Sequence, residues 1–249
     1  MARRRPVLQC WSVSTPTSAS PSPEPRRSGS GGKFDDQRRH WASTFAANPD
    51  MYGTGASDPG AAAADRFARD GAQRVLELGA GQGRDTVLFA ARGFDVVAGD
   101  FADTALDAIS RKGATAGLAD HLRVVRHDVR TPLPFAANVF DASYSHMLFC
   151  MALSSTELDH LAAELLRVLR PGGLVVYTVR HKGDAHYGAG IPHGDDMFEN
   201  GGFVVHFFDR DLVDRLAGAG FDLDGITEFT EGALPRRLWR VTMQKRKTH

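Results

Sequence analysis

The chain has 249 residues, 42% of them hydrophobic, with 30 Lys+Arg against 30 Asp+Glu; that is enough for one α/β core and an extension but not for a second large domain. Residues 1–33 hold six basic residues and one acid, so the remainder carries 24 basic against 29 acidic residues, a poor match for a surface that tracks nucleic-acid phosphates. Two cysteines, Cys10 and Cys150, give no disulfide framework and no Cys-x-x-Cys metal pair, which makes a reducing cytoplasm the default compartment, and no apolar run approaches the roughly 18 residues of a membrane span.

Residues 1–33 combine Arg3-Arg4-Arg5, repeated Ser, Thr and Pro, and Ser28-Gly29-Ser30-Gly31-Gly32. Such a composition buries too little apolar area to offset its ordering entropy, so a disordered basic tail is expected, with the folded domain at 34–249. Gln9 and Ser12 interrupt the short apolar stretch after the arginines, which argues against a signal peptide. From Phe34 the pattern turns helical, with Trp41, Phe45 and Ala46 on one face, until Asn48-Pro49-Asp50-Met51-Tyr52-Gly53 breaks it. A second helix is expected from about Pro59 to Asp70, ended by Gly71.

Strand and helix then alternate: a strand at Arg74–Leu78, a helix from Arg84 to Ala91, a strand at Asp95–Gly99, a helix from about Ala102 to Lys112 and a strand at Leu122–Arg126. A strand at Val139–Tyr144 follows, then a helix opened by the capping box Ser154-x-x-Glu157 and closed at Arg170-Pro171-Gly172-Gly173, then a strand at Leu174–Val179. Alternation of this kind predicts a parallel sheet with helices on both faces. The last third adds a helix after Asp209 and two strands, near Phe221–Phe229 and at Leu238–Met243. Glu231-Gly232-Ala233-Leu234-Pro235 between them is short enough for an antiparallel hairpin.

The stretch that organises the chain is Val75-Leu76-Glu77-Leu78-Gly79-Ala80-Gly81-Gln82-Gly83-Arg84. Glycine lets the backbone turn sharply and a ligand lie against the main chain, while the helix start offers free N–H groups. A dinucleotide fingerprint would put its third glycine at position 84; here it is Gly83, and the acid Glu77 stands two residues before the first. This resembles motif I of the class I S-adenosylmethionine (SAM)-dependent methyltransferases, acid-x-Gly-x-Gly-x-Gly. The likeness takes in residues 40–245 or so. It implies a doubly wound, Rossmann-like α/β fold whose mostly parallel seven-stranded sheet has an antiparallel last strand. It also implies SAM as cofactor.

Within that resemblance, Gly79, Ala80, Gly81 and Gly83 cradle SAM, and Glu77 and Arg84 flank its methionine part. Asp100 ends the second strand, 21 residues after Gly79, where doubly wound folds place a ribose-binding acid; Phe101 follows it. Its alternative role is a helix cap. Asp128 closes the third strand, where an acceptor faces the adenine amino group and the N–H of Val129 a ring nitrogen. Asp85 reads instead as a first-turn residue favoured by the helix dipole.

After the fourth strand the chain lacks the Asn/Asp-Pro-Pro-Tyr and Pro-Cys sequences of methyltransferases acting on DNA bases, and carries Ser143-Tyr144-Ser145-His146-Met147-Leu148. Ser145 and His146 are therefore expected beside the transferable methyl, His146 as the catalytic candidate because imidazole takes a proton near neutral pH. Trp41 and Tyr52 are expected over the cofactor and acceptor. The segment after the fifth strand, with Arg180, Tyr187, His193, His206 and a Gly-x-x-His-Phe-Phe-like run, resembles the acceptor-binding insertion of small-molecule methyltransferases of the tellurite-resistance and quinone-pathway type. Its four histidines and three aspartates lack zinc-site spacing, so no metal is expected.

The function implied is transfer of the SAM methyl group to a small-molecule acceptor, by displacement at a sulfonium carbon. A dry pocket and alignment supply much of the acceleration, with no strong acid or base required. Nucleic-acid and membrane partners are not expected. Two alternatives remain, a nicotinamide-dependent oxidoreductase and a non-catalytic SAM-binding protein; the acceptor and the oligomeric state stay open.

Overall fold

A computed structural model describes residues 31–48, 51–53, 55–232 and 236–247. The tail expected at 1–33 lies outside these up to residue 30, and its last three residues belong to the first helix, α1 (Gly31–Ala47). Helix α2 (Asp58–Arg69) starts where the Ser57 side chain accepts the Gly60 N–H, with Pro59 in the first turn where its missing N–H costs nothing. β1 (Arg74–Leu78), α3 (Arg84–Ala91), β2 (Asp95–Asp100), α4 (Asp103–Thr115), a 3-10 turn at Ala119–His121 and β3 (Leu122–Arg126) follow. Next come β4 (Phe140–His146), α5 (Ser155–Val168) and β5 (Leu169–Arg180). Both bonds of the Ser154/Glu157 capping box are formed. α5 stops at Val168, so Arg170-Pro171-Gly172-Gly173 belongs to the entry of β5 rather than to the helix end.

A small antiparallel sheet, β6 (Ile191–Gly194), β7 (Met197–Asn200) and β8 (Phe203–His206), fills the segment after β5. Its two hairpin loops are two residues long. Asp195 and Asp196 have φ of 54° and 53°, and Gly201 and Gly202 of 58° and 85°, so both central residues of each are left-handed, which matches strand twist in tight hairpins. The chain ends with α6 (Arg210–Gly218), capped by Asp209, then β9 (Phe221–Glu231) and β10 (Arg236–Lys245).

The main sheet has the order β3-β2-β1-β4-β5-β10-β9. β1 runs parallel to β2 (Val75 opposite Val96) and to β4 (Val75 opposite Ala142), and only β10 opposes its neighbours. Alternate β1 residues serve opposite layers. Val75 packs with Phe67, Phe89 and Phe94 of the α2–α3 side, whereas Leu76 and Leu78 join Leu158, Leu161 and Leu216 under α5 and α6. Burying both faces holds the strand ends in place, and all the parallel strands end at one edge.

Candidate active site

Chain order reverses between β1 and β4, and at such a switch point the crevice beyond the strand C-termini collects ligands in open α/β sheets. A cavity of about 450 Å³ opens there, within the roughly 300–1,000 Å³ usual for small-molecule sites. Glu77 lies near the end of β1 and the 79–83 loop follows it, Asp100 ends β2, Asp128 follows β3, His146 ends β4 and Arg180 ends β5; all of them line it.

Gly79, Gly81 and Gly83 have φ of 66°, 51° and 80°, a region costly for a side chain. A Cβ on Gly79 would sit 2.8 Å from Leu148 Cβ, and one on Gly83 2.6 Å from Ile109 Cγ1. The third glycine thus serves close packing of the loop on α4. Asp100 fixes the same loop, since its carboxylate accepts from the N–H groups of Gly81 and Ala102, both at 2.9 Å. It therefore acts as loop clasp and helix cap, with each oxygen keeping acceptor capacity. Burial raises its pKa against the pull of those backbone bonds.

Glu77 is 3% exposed and accepts a 2.5 Å bond from Thr86 Oγ1. Burial, then the neighbouring Asp85, pushes its pKa well above the usual carboxylate value. Asp85 stands in the first turn of α3 as expected, and it also lines the cavity. It is buried, accepting from Ser57 N (2.7 Å), Ser57 Oγ (2.8 Å) and Tyr144 Oη (3.1 Å), and so joins α2, α3 and β4 beneath the cavity.

Asp128 receives a two-pronged contact from Arg130, Nη2 to Oδ2 at 2.7 Å and Nε to Oδ1 at 3.0 Å. Desolvation would raise its pKa, but these bonds hold it below the usual range. Helix α1 roofs this end. Arg38 lies 3.6 Å from Asp128 and over the Phe101 ring, Trp41 packs on Phe45 and Phe203, and Gln82 Nε2 donates to Asn48 O at 2.9 Å. Gln37 ties the helix to the small sheet, donating to Gly202 O at 2.7 Å and accepting from Val204 N at 3.2 Å. The Gln82 Oε1 atom is buried without a partner among the described residues.

At the other end His146 Nδ1 lies 3.0 Å from Thr178 Oγ1, and its Nε2 lies 3.1 Å from Glu231 Oε2 and 3.0 Å from Arg84 Nη2. Thr178 Oγ1 also accepts the Met147 N–H, so both ring nitrogens of His146 are engaged within the fold. Arg84 Nη2 donates to Glu231 Oε1 at 3.0 Å, and its guanidinium covers the Tyr52 ring. The bond from His146, then the charges of His146 and Arg84, lower the Glu231 pKa to about 2. Met147, next to His146, holds φ of 66°, the kind of strain that collects at functional sites. Arg180 is 7% exposed, its Nε 3.2 Å from Asp184 Oδ2, and it lies over Phe207.

Four expected site residues fall outside the cavity lining. Ser145 is buried on the opposite face of β4 from Tyr144 and His146, as strand alternation requires. Tyr187 is exposed and donates to Asp196 at 2.8 Å. His193 pairs with Glu199 at 2.8 Å within the small sheet. His206 is buried, with Nδ1 2.7 Å from Leu153 O. Conversely Glu231 and Arg236 line the cavity though nothing in their sequence neighbourhood marks them, and Phe203, Leu148 and Met151 join them. No group of three metal-ligating side chains occurs among the described residues, and no helix there is long and apolar enough to cross a membrane.

Residues 75–173 match the family described as a methyltransferase domain. Over 105 residues the chain is 39% identical to a demethylmenaquinone methyltransferase of Clavibacter sepedonicus, a match spanning 42% of this chain and 40% of that protein. The stretch from β1 to the entry of β5 is thus similar to a methyltransferase domain. Its fold is shared with a Burkholderia thailandensis 1,6-didemethyltoxoflavin-N1-methyltransferase, solved with that substrate and S-adenosylhomocysteine (SAH). The TM-score is 0.70 at 18% identity, over 91% of this chain and 95% of that one. It is also shared with the cyclase SpnF, at a TM-score of 0.65 and 17% identity over 87% and 95% of the two chains. The fold alone therefore does not decide the chemistry.

Proposed function

We propose that this protein transfers the methyl group of SAM to a small-molecule acceptor. The observation that carries the reading is the cavity at the β1–β4 switch point, where a left-handed glycine loop and two buried carboxylates, Glu77 and Asp100, face one end. The donor set fits SAM. Glu77, raised by burial and bonded among the described residues only by Thr86, is suited to an ammonium. Asp100 keeps an acceptor site on each oxygen for a ribose diol. Asp128 and the Val129 N–H offer the acceptor and donor that adenine needs, and the orphaned Gln82 Oε1 adds a further acceptor.

When bound, SAM supplies an electrophilic methyl carbon on a sulfonium. The chain's own residues do the rest. Trp41, Phe45 and Phe203 exclude water from above. His146 has both ring nitrogens engaged, so it takes a proton from an acceptor that must lose one only when that acceptor displaces one of these contacts, and Glu231 would then stabilise the imidazolium. The size of the cavity supports a small acceptor. The test is turnover of radiolabelled SAM against a panel of thiols, amines, phenols and metalloid oxyanions, with NADH and SAH compared as ligands. Labelled product with any acceptor supports the reading; NADH binding with no SAH binding would replace it by the oxidoreductase.

A further inference from the structure

We propose that the acceptor binds as an anion, with Arg236 as its counter-ion. The observation is a cation left over. Of the guanidinium groups lining the cavity, Arg84 is taken by Glu231, Arg180 by Asp184, and Arg38 and Arg130 by Asp128. Arg236 lines the same cavity, and its guanidinium has neither hydrogen bond nor ion pair to any described residue.

The pairing of β9 with β10 shows why. Arg236 stands directly opposite Glu231, the carboxylate that a cross-strand pair would give it. Both oxygens of Glu231 turn instead to Arg84 and His146. The hairpin thus delivers one acid into the His146 cluster and leaves one base facing the cavity. Unpaired cations beside a ligand cleft raise the local concentration of anions, and a guanidinium binds a carboxylate or ionised hydroxyl with charge-assisted bonds.

The rest of the cavity sets the position and the body of such a ligand. Glu77, Asp85 and Asp100 also line the cavity, so an anion is repelled by them and drawn to Arg236. The wall near His146 is apolar: Met147, Leu148, Met151 and Leu153 follow β4, and Val205 comes from β8. The chemistry that fits is a largely apolar small molecule carrying one acidic group ionised at neutral pH.

This inference rests on the SAM reading of the other end, so the full chain is first titrated with SAH by calorimetry; absence of SAH binding counts against that reading and not against this one. Benzoate, phenylacetate and salicylate are then titrated, each against its methyl ester, into the SAH-saturated protein and into Arg236→Gln and Arg236→Lys variants. At least one carboxylate is expected to bind more tightly than its ester by about tenfold, the scale of a charge-assisted hydrogen bond. Arg236→Gln should abolish that preference, Arg236→Lys should keep part of it, and SAH affinity should be unchanged in both. A preference that survives Arg236→Gln, ester binding equal to carboxylate binding, or no saturable binding of any of the carboxylates would overturn the proposal.

Discussion

The two ends of the cavity treat their acids in opposite ways. At the glycine-loop end Glu77 and Asp100 are buried with no cation bonded to them among the described residues, and burial raises both. At the β4–β5 end Glu231 and Asp184 are bonded to cations, and both are lowered. For Asp184 desolvation works upward, but the bonds from Arg180 and from backbone N–H groups outweigh it. One end is therefore electrostatically unfinished and would be stabilised by a cationic ligand. The other is satisfied within the fold, apart from Arg236.

Breaking the finished end should cost the most stability. Asp184→Ala would leave the buried Arg180 guanidinium without its carboxylate, an uncompensated charge that typically costs about 3–5 kcal/mol. Denaturant unfolding of the variant should show a loss of that order, and a change below about 1 kcal/mol would mean that the pair behaves as a surface one.

Breaking the unfinished end should cost binding, together with the stability carried by the loop clasp and helix cap that Asp100 supplies. Asp100→Ala removes charge-assisted bonds worth about 1.5–3 kcal/mol each, so SAH affinity should fall about 10- to 100-fold. Unchanged affinity in a folded variant would remove Asp100 from the ribose role.

Glu77 sharpens the contrast. A raised folded-state pKa means that the folded protein holds its proton longer than the unfolded one, so the stability that it carries at low pH is lost as pH rises above 4.5 through the raised value. Glu77→Gln should therefore melt at or above the parent temperature at neutral pH while binding SAH more weakly. A variant that melts lower would show that the carboxylate is satisfied before any ligand arrives.

Glu231 gives the smallest effect, with the opposite sign. Its folded value lies near 2 against an ordinary 4.5, so its contribution is present above pH 4.5 and is lost as pH falls from there towards about 2. Acid unfolding of Glu231→Gln should be flatter across that window than in the parent chain, and identical curves would mean that His146 and Arg84 do not hold the carboxylate in solution.

The same contrast decides what the sequence reveals. β1, α3 and β3 lie on the residues expected, because short β-branched runs bounded by glycine leave little freedom in register. Glu77, Asp100, Asp128, His146 and Arg180 are legible for the same reason, as each sits at or just beyond the C-terminal end of a strand in a parallel sheet. Ser145 misleads because a one-residue step in a strand reverses the face. The small sheet was hidden by strands of four residues, although Asp195-Asp196 and Gly201-Gly202 are tight-hairpin pairs. Glu231 meets His146 across 85 residues of chain; the hairpin that carries Glu231 is legible in the sequence, but its contact with His146 is not, so the finished end of the site could only be found in three dimensions.

The most direct test of the unfinished end is calorimetric titration of the full chain with SAH in two buffers of different ionisation enthalpy, at a pH just above 4.5. The account predicts saturable binding at one site per chain, accompanied by proton release, because an ammonium brought to Glu77 favours its ionised form. No saturable heat, or binding with proton uptake, would contradict it.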